Sequence, residues 1–90
     1  MAKKRYRTKT LSIRKELEDY RENIDKYEFA PYAPVGVRKT PQGNFRAIIT
    51  LNGASVNIGT YDTLVQAMLA RDKFVTINKL PRKLNLLKKD

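Results

Sequence analysis

Arg38 and Arg46 are spaced for anion chemistry. They bracket Thr40-Pro41-Gln42-Gly43, in which Pro presets the φ of the first central turn residue and Gly can take the left-handed position of a three-residue loop. Counted outward from that loop, the two arginines stand directly opposite each other on an antiparallel strand pair. Like charges so placed cost the pair roughly a few tenths of a kcal/mol. Either both side chains splay into water, or an anion normally lies across them. The formal charge of +10 favours the anion. Nearby, Gln42, Asn44 and Asn57 carry amides able to read base edges, and Ile48 and Thr50 offer methyl groups to a thymine, with the Ser55 hydroxyl beside them.

Other chemistries lack their residues. Neither Cys nor His occurs, which removes disulfides, thiolate zinc sites, imidazole ligands and the usual general base. A His-Asn-His endonuclease needs histidine, and a tyrosine recombinase core needs histidine and far more chain. No phosphate-binding Gly-rich loop ending in Gly-Lys-Ser or Gly-Lys-Thr is present. Carboxylates for acid–base or metal work would have to come from Glu16–Glu22, which reads as a solvated helix face. The expectation is a non-enzyme without metal or cofactor. No apolar run approaches a membrane span, and the basic N-terminus lacks the apolar segment of a signal peptide. An intracellular location follows as the default: cytoplasm or nucleoid, or the host cytoplasm if the chain is phage-encoded.

The elements that must position these residues are legible in part. Asn52-Gly53 is a strong hairpin signal, because both residues tolerate positive φ. It sets Leu51 opposite Ala54, Ile49 opposite Val56 and Ala47 opposite Ile58, with Thr50 facing Ser55 and Ile48 facing Asn57 in between. Around the Pro41 loop, Val37 faces Ala47 and Val35 faces Ile49. One sheet face is thus apolar and the other mostly polar.

Thr63 with Gln66 forms a capping box that opens a helix over Leu64–Lys79, stopped by Pro81. Ala67 and Ala70 let it lie close to the sheet, with Arg71, Lys73 and Lys79 on its other side. Before the sheet, Ile13, Leu17, Tyr20, Ile24 and Tyr27 form a helical stripe over residues 11–29, too short for a self-sufficient coiled coil. That helix either folds back on the domain or pairs with its copy. Ninety residues make one domain with a small core. The organisation expected is a basic flexible arm at 1–10, the amphipathic helix at 11–29, a linker at 30–34, a sheet-plus-helix domain at 35–86 and a basic tail at 87–90. The fold class is α+β: a three-stranded antiparallel sheet packed on one C-terminal helix, with an additional N-terminal amphipathic helix.

Charge is unevenly spread. Residues 1–10 hold five basic residues and no acidic one, residues 11–33 hold four basic and six acidic, and residues 63–90 hold seven basic and two acidic. The positive excess therefore flanks the sheet, and Lys3, Lys4, Arg5 and Arg7 in the arm suit phosphate or minor-groove contacts.

Gly36-Val37-Arg38, the Pro41-x-Gly43 turn, Phe45-x-Ala47, Gly59-Thr60-Tyr61-Asp62-Thr63, Ala67, Ala70-x-Asp72 and the closing Leu84-Asn85 together resemble the ethylene-response-factor (Apetala-type) DNA-binding domain. The resemblance covers residues 34–86. That domain is known in plants and also occurs in phage and mobile-element proteins, often beside endonuclease or integrase modules. It implies a three-stranded sheet packed on one helix, with the exposed sheet face entering the major groove. Arg38 matches a family arginine that contacts DNA. Thr40, Gln42, Ile48, Thr50, Ser55 and Asn57 stand where the plant proteins typically carry Arg, Trp, Glu, Arg, Arg and Trp, and Arg46 replaces a small residue. The buried pattern is kept while most of the plant base-reading set is absent.

The function expected is double-stranded DNA binding through the exposed sheet, with Arg38 and Arg46 central and Gln42, Asn44, Thr50, Ser55 and Asn57 around them. A small phage or mobile-element regulator or accessory factor fits, as a monomer or weak homodimer. Two alternatives stand beside it. One is a protein-interaction module, partnered through the N-terminal helix, that inhibits a nucleic-acid-binding enzyme such as a host defence nuclease. The other is RNA or ribosome binding.

Overall fold

The computed structural model describes residues 13–89. The basic arm, with Lys3, Lys4, Arg5 and Arg7, lies outside the described residues, as does the start of the expected N-terminal helix.

Turn chemistry builds the sheet. Asn52 and Gly53 take φ of 51° and 79° and close the hairpin between β3 (Phe45–Leu51) and β4 (Ala54–Tyr61). At the other turn Gly43 has φ 90°, its amide donates to the Thr40 carbonyl at 3.0 Å, and the Thr40 amide donates to the Asn44 carbonyl at 2.8 Å. This three-residue loop joins β2 (Val37–Lys39) to β3, giving an antiparallel sheet of order β2-β3-β4. The chain is α+β, with this sheet and two helices.

Most of the expected register holds: Val37 pairs with Ala47, Arg38 with Arg46, Ile48 with Asn57, Ile49 with Val56, Thr50 with Ser55 and Leu51 with Ala54. Two pairs are corrected. Ala47 faces Gly59 and not Ile58, because the register slips between Ala47 and Ile48, leaving Ile58 as an extra residue on β4. Ile58 is driven into the core, and Gly59 leaves room for the Tyr61 ring, whose Oη would lie 2.9 Å from a Cβ at position 59. Val35 does not face Ile49 as a strand residue, since β2 begins only at Val37.

The central element is α2 (Leu64–Ile77). Thr63 Oγ1 accepts from the Gln66 amide and Gln66 Oε1 from the Thr63 amide, both at 3.1 Å, so the capping box forms. The helix ends two residues before the expected Lys79. Lys79 turns left-handed at φ 51°, the Leu80 amide reaches the Val75 carbonyl and the Lys79 amide reaches the Thr76 carbonyl, which is a Schellman stop. Ala67, Ala70 and Phe74 pack with Ala47, Ile49, Leu51 and Ile58 in one core. On other sides α2 meets α1 (Arg14–Glu22) and β5 (Leu86–Lys88), so it is enclosed almost all round. Arg71 is therefore not on an outer face as expected. It is only 3% exposed, and its Nη1 donates to the Lys83 carbonyl.

The N-terminal helix is shorter than the expected 11–29. α1 stops at Glu22, a single 3₁₀ turn covers Ile24–Lys26, and β1 (Tyr27–Phe29) follows. Asn23 favours this break: its side-chain amide donates to the Asp19 carbonyl and carboxylate, competing with the helix. β1 pairs antiparallel with β5 in a separate two-stranded sheet, so the expected basic tail at 87–90 contributes a strand over Leu86–Lys88. Ile13 joins the core and Glu16 pairs with Lys73 at 2.9 Å, so α1 folds back on α2. No helix among the described residues is long and apolar enough to cross a membrane.

The Glu16–Lys73 pair makes a pH prediction. Partial burial pushes the Glu16 carboxyl up, but the hydrogen bond and charge of Lys73, with a backbone hydrogen bond, outweigh it and leave the pKa below its usual 4.5. A depressed carboxylate contributes stability above its unfolded value and loses it as pH falls through the folded one. Glu16→Gln is expected to cost up to about 1 kcal/mol at neutral pH and nothing in strong acid. Urea melts of both proteins at neutral and acid pH check this; a difference independent of pH would contradict it.

Candidate nucleic-acid interface

Alternation along three strands sends one set of side chains away from α2. β2 and β3 set Arg38 beside Arg46, the bulge brings Thr60 opposite Arg46, and the next rows are Ile48 with Asn57 and Thr50 with Ser55. Arg38, Arg46, Thr50, Ser55 and Asn57 are all exposed and line one open concavity of about 360 Å³, together with Ile48 and the rim at Lys39, Thr40 and Pro41. Its lining includes no carboxylate.

Arg38 and Arg46 are a hydrogen-bonded type of pair, flanked by the Thr40–Asn44 and Gly36–Ile48 backbone bonds, so their Cα atoms stand about 5.5 Å apart. Among the described residues neither guanidinium has an ion pair or side-chain hydrogen bond. Gln42 and Asn44 are not brought into this concavity. Gln42 is exposed in the turn, and Asn44 is half-buried just ahead of β3, its amide held by Thr40 Oγ1 at 3.0 Å.

Just ahead of β2 the chain is anchored by a buried polar clamp that sequence reasoning missed. Asn85 is 0% exposed. Its Oδ1 accepts from the Val35 amide at 2.5 Å, and its Nδ2 donates to the Val35 carbonyl at 2.9 Å. Asp72 in turn accepts from the Asn85 amide at 2.9 Å, from Asn85 Nδ2 at 3.2 Å and from the Leu86 amide at 3.0 Å. Burial pushes the Asp72 carboxyl above its ordinary value, against these hydrogen bonds and the Arg71 charge, which lower it.

The clamp fixes Val35, and Gly36 then makes the turn into β2. Gly36 has φ 72°, and a Cβ there would stand 2.6 Å from the Ile48 carbonyl oxygen and 3.0 Å from Arg71 Nε, so only glycine fits.

No family model, curated protein or solved structure matches the chain.

Thr60 is the face residue that the sequence reading missed, since only the bulge at Ile58 turns it toward Arg46. The acidic face of α1, the other surface of interest, is largely committed within the chain. Asp19 accepts from the Tyr27 hydroxyl at 2.6 Å and from Asn23, Glu16 holds Lys73, and Glu18 pairs with Arg14 at 3.4 Å. The hydrogen bond to Asp19, with burial and its charge, holds the Tyr27 phenol above its usual range. Among the described residues no group of three or more acidic, Cys or His side chains is placed to hold a metal.

Proposed function

We propose that this chain binds double-stranded DNA through the polar face of β2-β3-β4, without catalysing a reaction. The carrying observation is the gathering of Arg38, Arg46, Thr50, Ser55 and Asn57 into one carboxylate-free concavity on a chain of formal charge +10. Arg38 and Arg46 engage phosphate or guanine edges; Asn57, Thr50 and Ser55, joined by Thr60, supply neutral contacts. Likeness to the ethylene-response-factor domain is part of this reading, as is a role as a phage or mobile-element regulator working inside the cell as a monomer or weak dimer.

Titration of a labelled duplex at two salt concentrations tests it, with affinity expected to fall steeply as salt rises. Deleting residues 2–9 removes five cations. It is expected to weaken binding to all sequences alike and to reduce the salt slope by up to roughly four units. An unchanged slope would place the arm off the DNA.

A protein-interaction reading has one observation behind it. Ile24 in the 3₁₀ turn and Phe29 in β1 are large apolar side chains left 53% and 48% exposed. Wild-type protein without salt-sensitive duplex binding would favour it. RNA binding is less supported, because the concavity is lined by no aromatic side chain on which bases could stack.

A further inference from the structure

β2 is too short to cover β3. Past the Gly36–Ile48 backbone bond β2 no longer runs beside β3, and a second, larger groove of about 540 Å³ opens at this edge. Val35 to Arg38 form one wall and Ile48 to Thr50 another, with Arg71 and Arg82 at the ends. Three arginines thus contribute to the lining, beside the aliphatic Val35, Val37, Ile48 and Ile49, and the lining holds no carboxylate.

Each arginine is held differently. Arg82 is exposed, and its Nη2 donates to the Thr50 carbonyl at 3.0 Å, which pins the head at the strand edge while most of its five N–H donors stay available. Arg71 is buried, with Nη1 on the Lys83 carbonyl and 3.6 Å from Asp72 Oδ1, and its Nε has no hydrogen-bond partner. Its charge is offset by Asp72 behind Gly36, which leaves Arg38 and Arg82 as the groove's available cations. Arg38 lines both this groove and the sheet-face concavity, as do Ile48 and Thr50, so the two surfaces are continuous.

We infer that this edge groove seats one backbone phosphate of the same duplex that lies on the sheet, with Arg82 as a phosphate contact that sets the duplex's position. The inference rests on the DNA-binding reading above. Charge complementarity and continuity with the sheet face select a phosphodiester already held by the protein over a free anion. A pinned fork at the groove's edge suits a phosphate oxygen and carries no base information, so Arg82 sets position and not sequence.

The test uses the full chain and labelled duplexes of two unrelated sequences, titrated across a range of salt. Arg82→Gln is expected to lower the salt slope by about one unit and to weaken both duplexes by the same factor, while Arg82→Lys keeps the slope. A duplex bound by wild type and Arg82→Gln with equal slopes overturns this inference and leaves the sheet reading intact. A wild type that binds no duplex overturns both. Titration of inorganic phosphate alone, followed through the Gly36 and Thr50 amide signals, is expected to give only weak, unsaturated shifts. Saturation at low phosphate concentration would assign the groove to a free anion and overturn the duplex assignment.

Discussion

Replacing Arg38 and Arg46 together by Ala is expected to weaken duplex binding by roughly 2–5 kcal/mol, if each contributes one good bidentate or phosphate contact. The same change should leave thermal stability unchanged or slightly raised. The two side chains face each other across β2 and β3, are exposed, and have no ion-pair partner among the described residues. Removing them relieves a like-charge pair and empties no core. Binding and melting therefore separate in this variant, which a merely structural role would not allow. A double mutant that binds like wild type would remove the sheet as the reading face.

Asp72→Ala is expected to abolish the cooperative thermal melt. Three donors, the Asn85 amide, its Nδ2 and the Leu86 amide, would lose their acceptor in a buried site. At about 1–3 kcal/mol for each orphaned group, the loss rivals the roughly 5–15 kcal/mol that a small domain has in total. Asp72→Asn should be milder, because one amide oxygen still accepts from Asn85 and only the position facing the Leu86 amide becomes a donor. The raised Asp72 pKa adds a signature to the wild type. A carboxyl whose folded value lies above its unfolded one contributes most below the unfolded value, and that contribution is lost as pH rises through the folded one. Circular-dichroism melts across the acid range check both points; an Asp72→Ala protein with a wild-type melt would show that the clamp does not support the fold.

The parts of this fold legible in the sequence are those decided within a few residues. Asn52-Gly53, Pro41-x-Gly43 and Thr63-x-x-Gln66 each carry their own geometry, and they delivered the hairpins, the helix start and the opposition of Arg38 to Arg46. What escaped depends on partners distant in the chain. Tyr27 continues the helical stripe in spacing, yet it reaches α1 from a strand, its hydroxyl on Asp19 and its ring 6.0 Å from Tyr20. That strand exists only because Leu86–Lys88 returns beside it.

Arg71 reads as a solvated helix residue until the Lys83 carbonyl is brought to it. Asn85 carries no local signal for burial, since its partners Val35 and Asp72 are 50 and 13 positions away. In the site, the central pair and the β3–β4 residues came from the turns, while Thr60 needed the bulge and Arg82 needed the C-terminal segment to cross the edge of β3.

The most direct test of duplex binding by the sheet is amide chemical-shift mapping of the full chain during titration with a short DNA duplex. The largest changes are expected at Arg38, Arg46, Ile48, Thr50, Ser55, Asn57 and Thr60, with α1 and the β1–β5 pair little affected. Changes centred on Ile24, Phe29 and α1, or no salt-sensitive change anywhere, would contradict it.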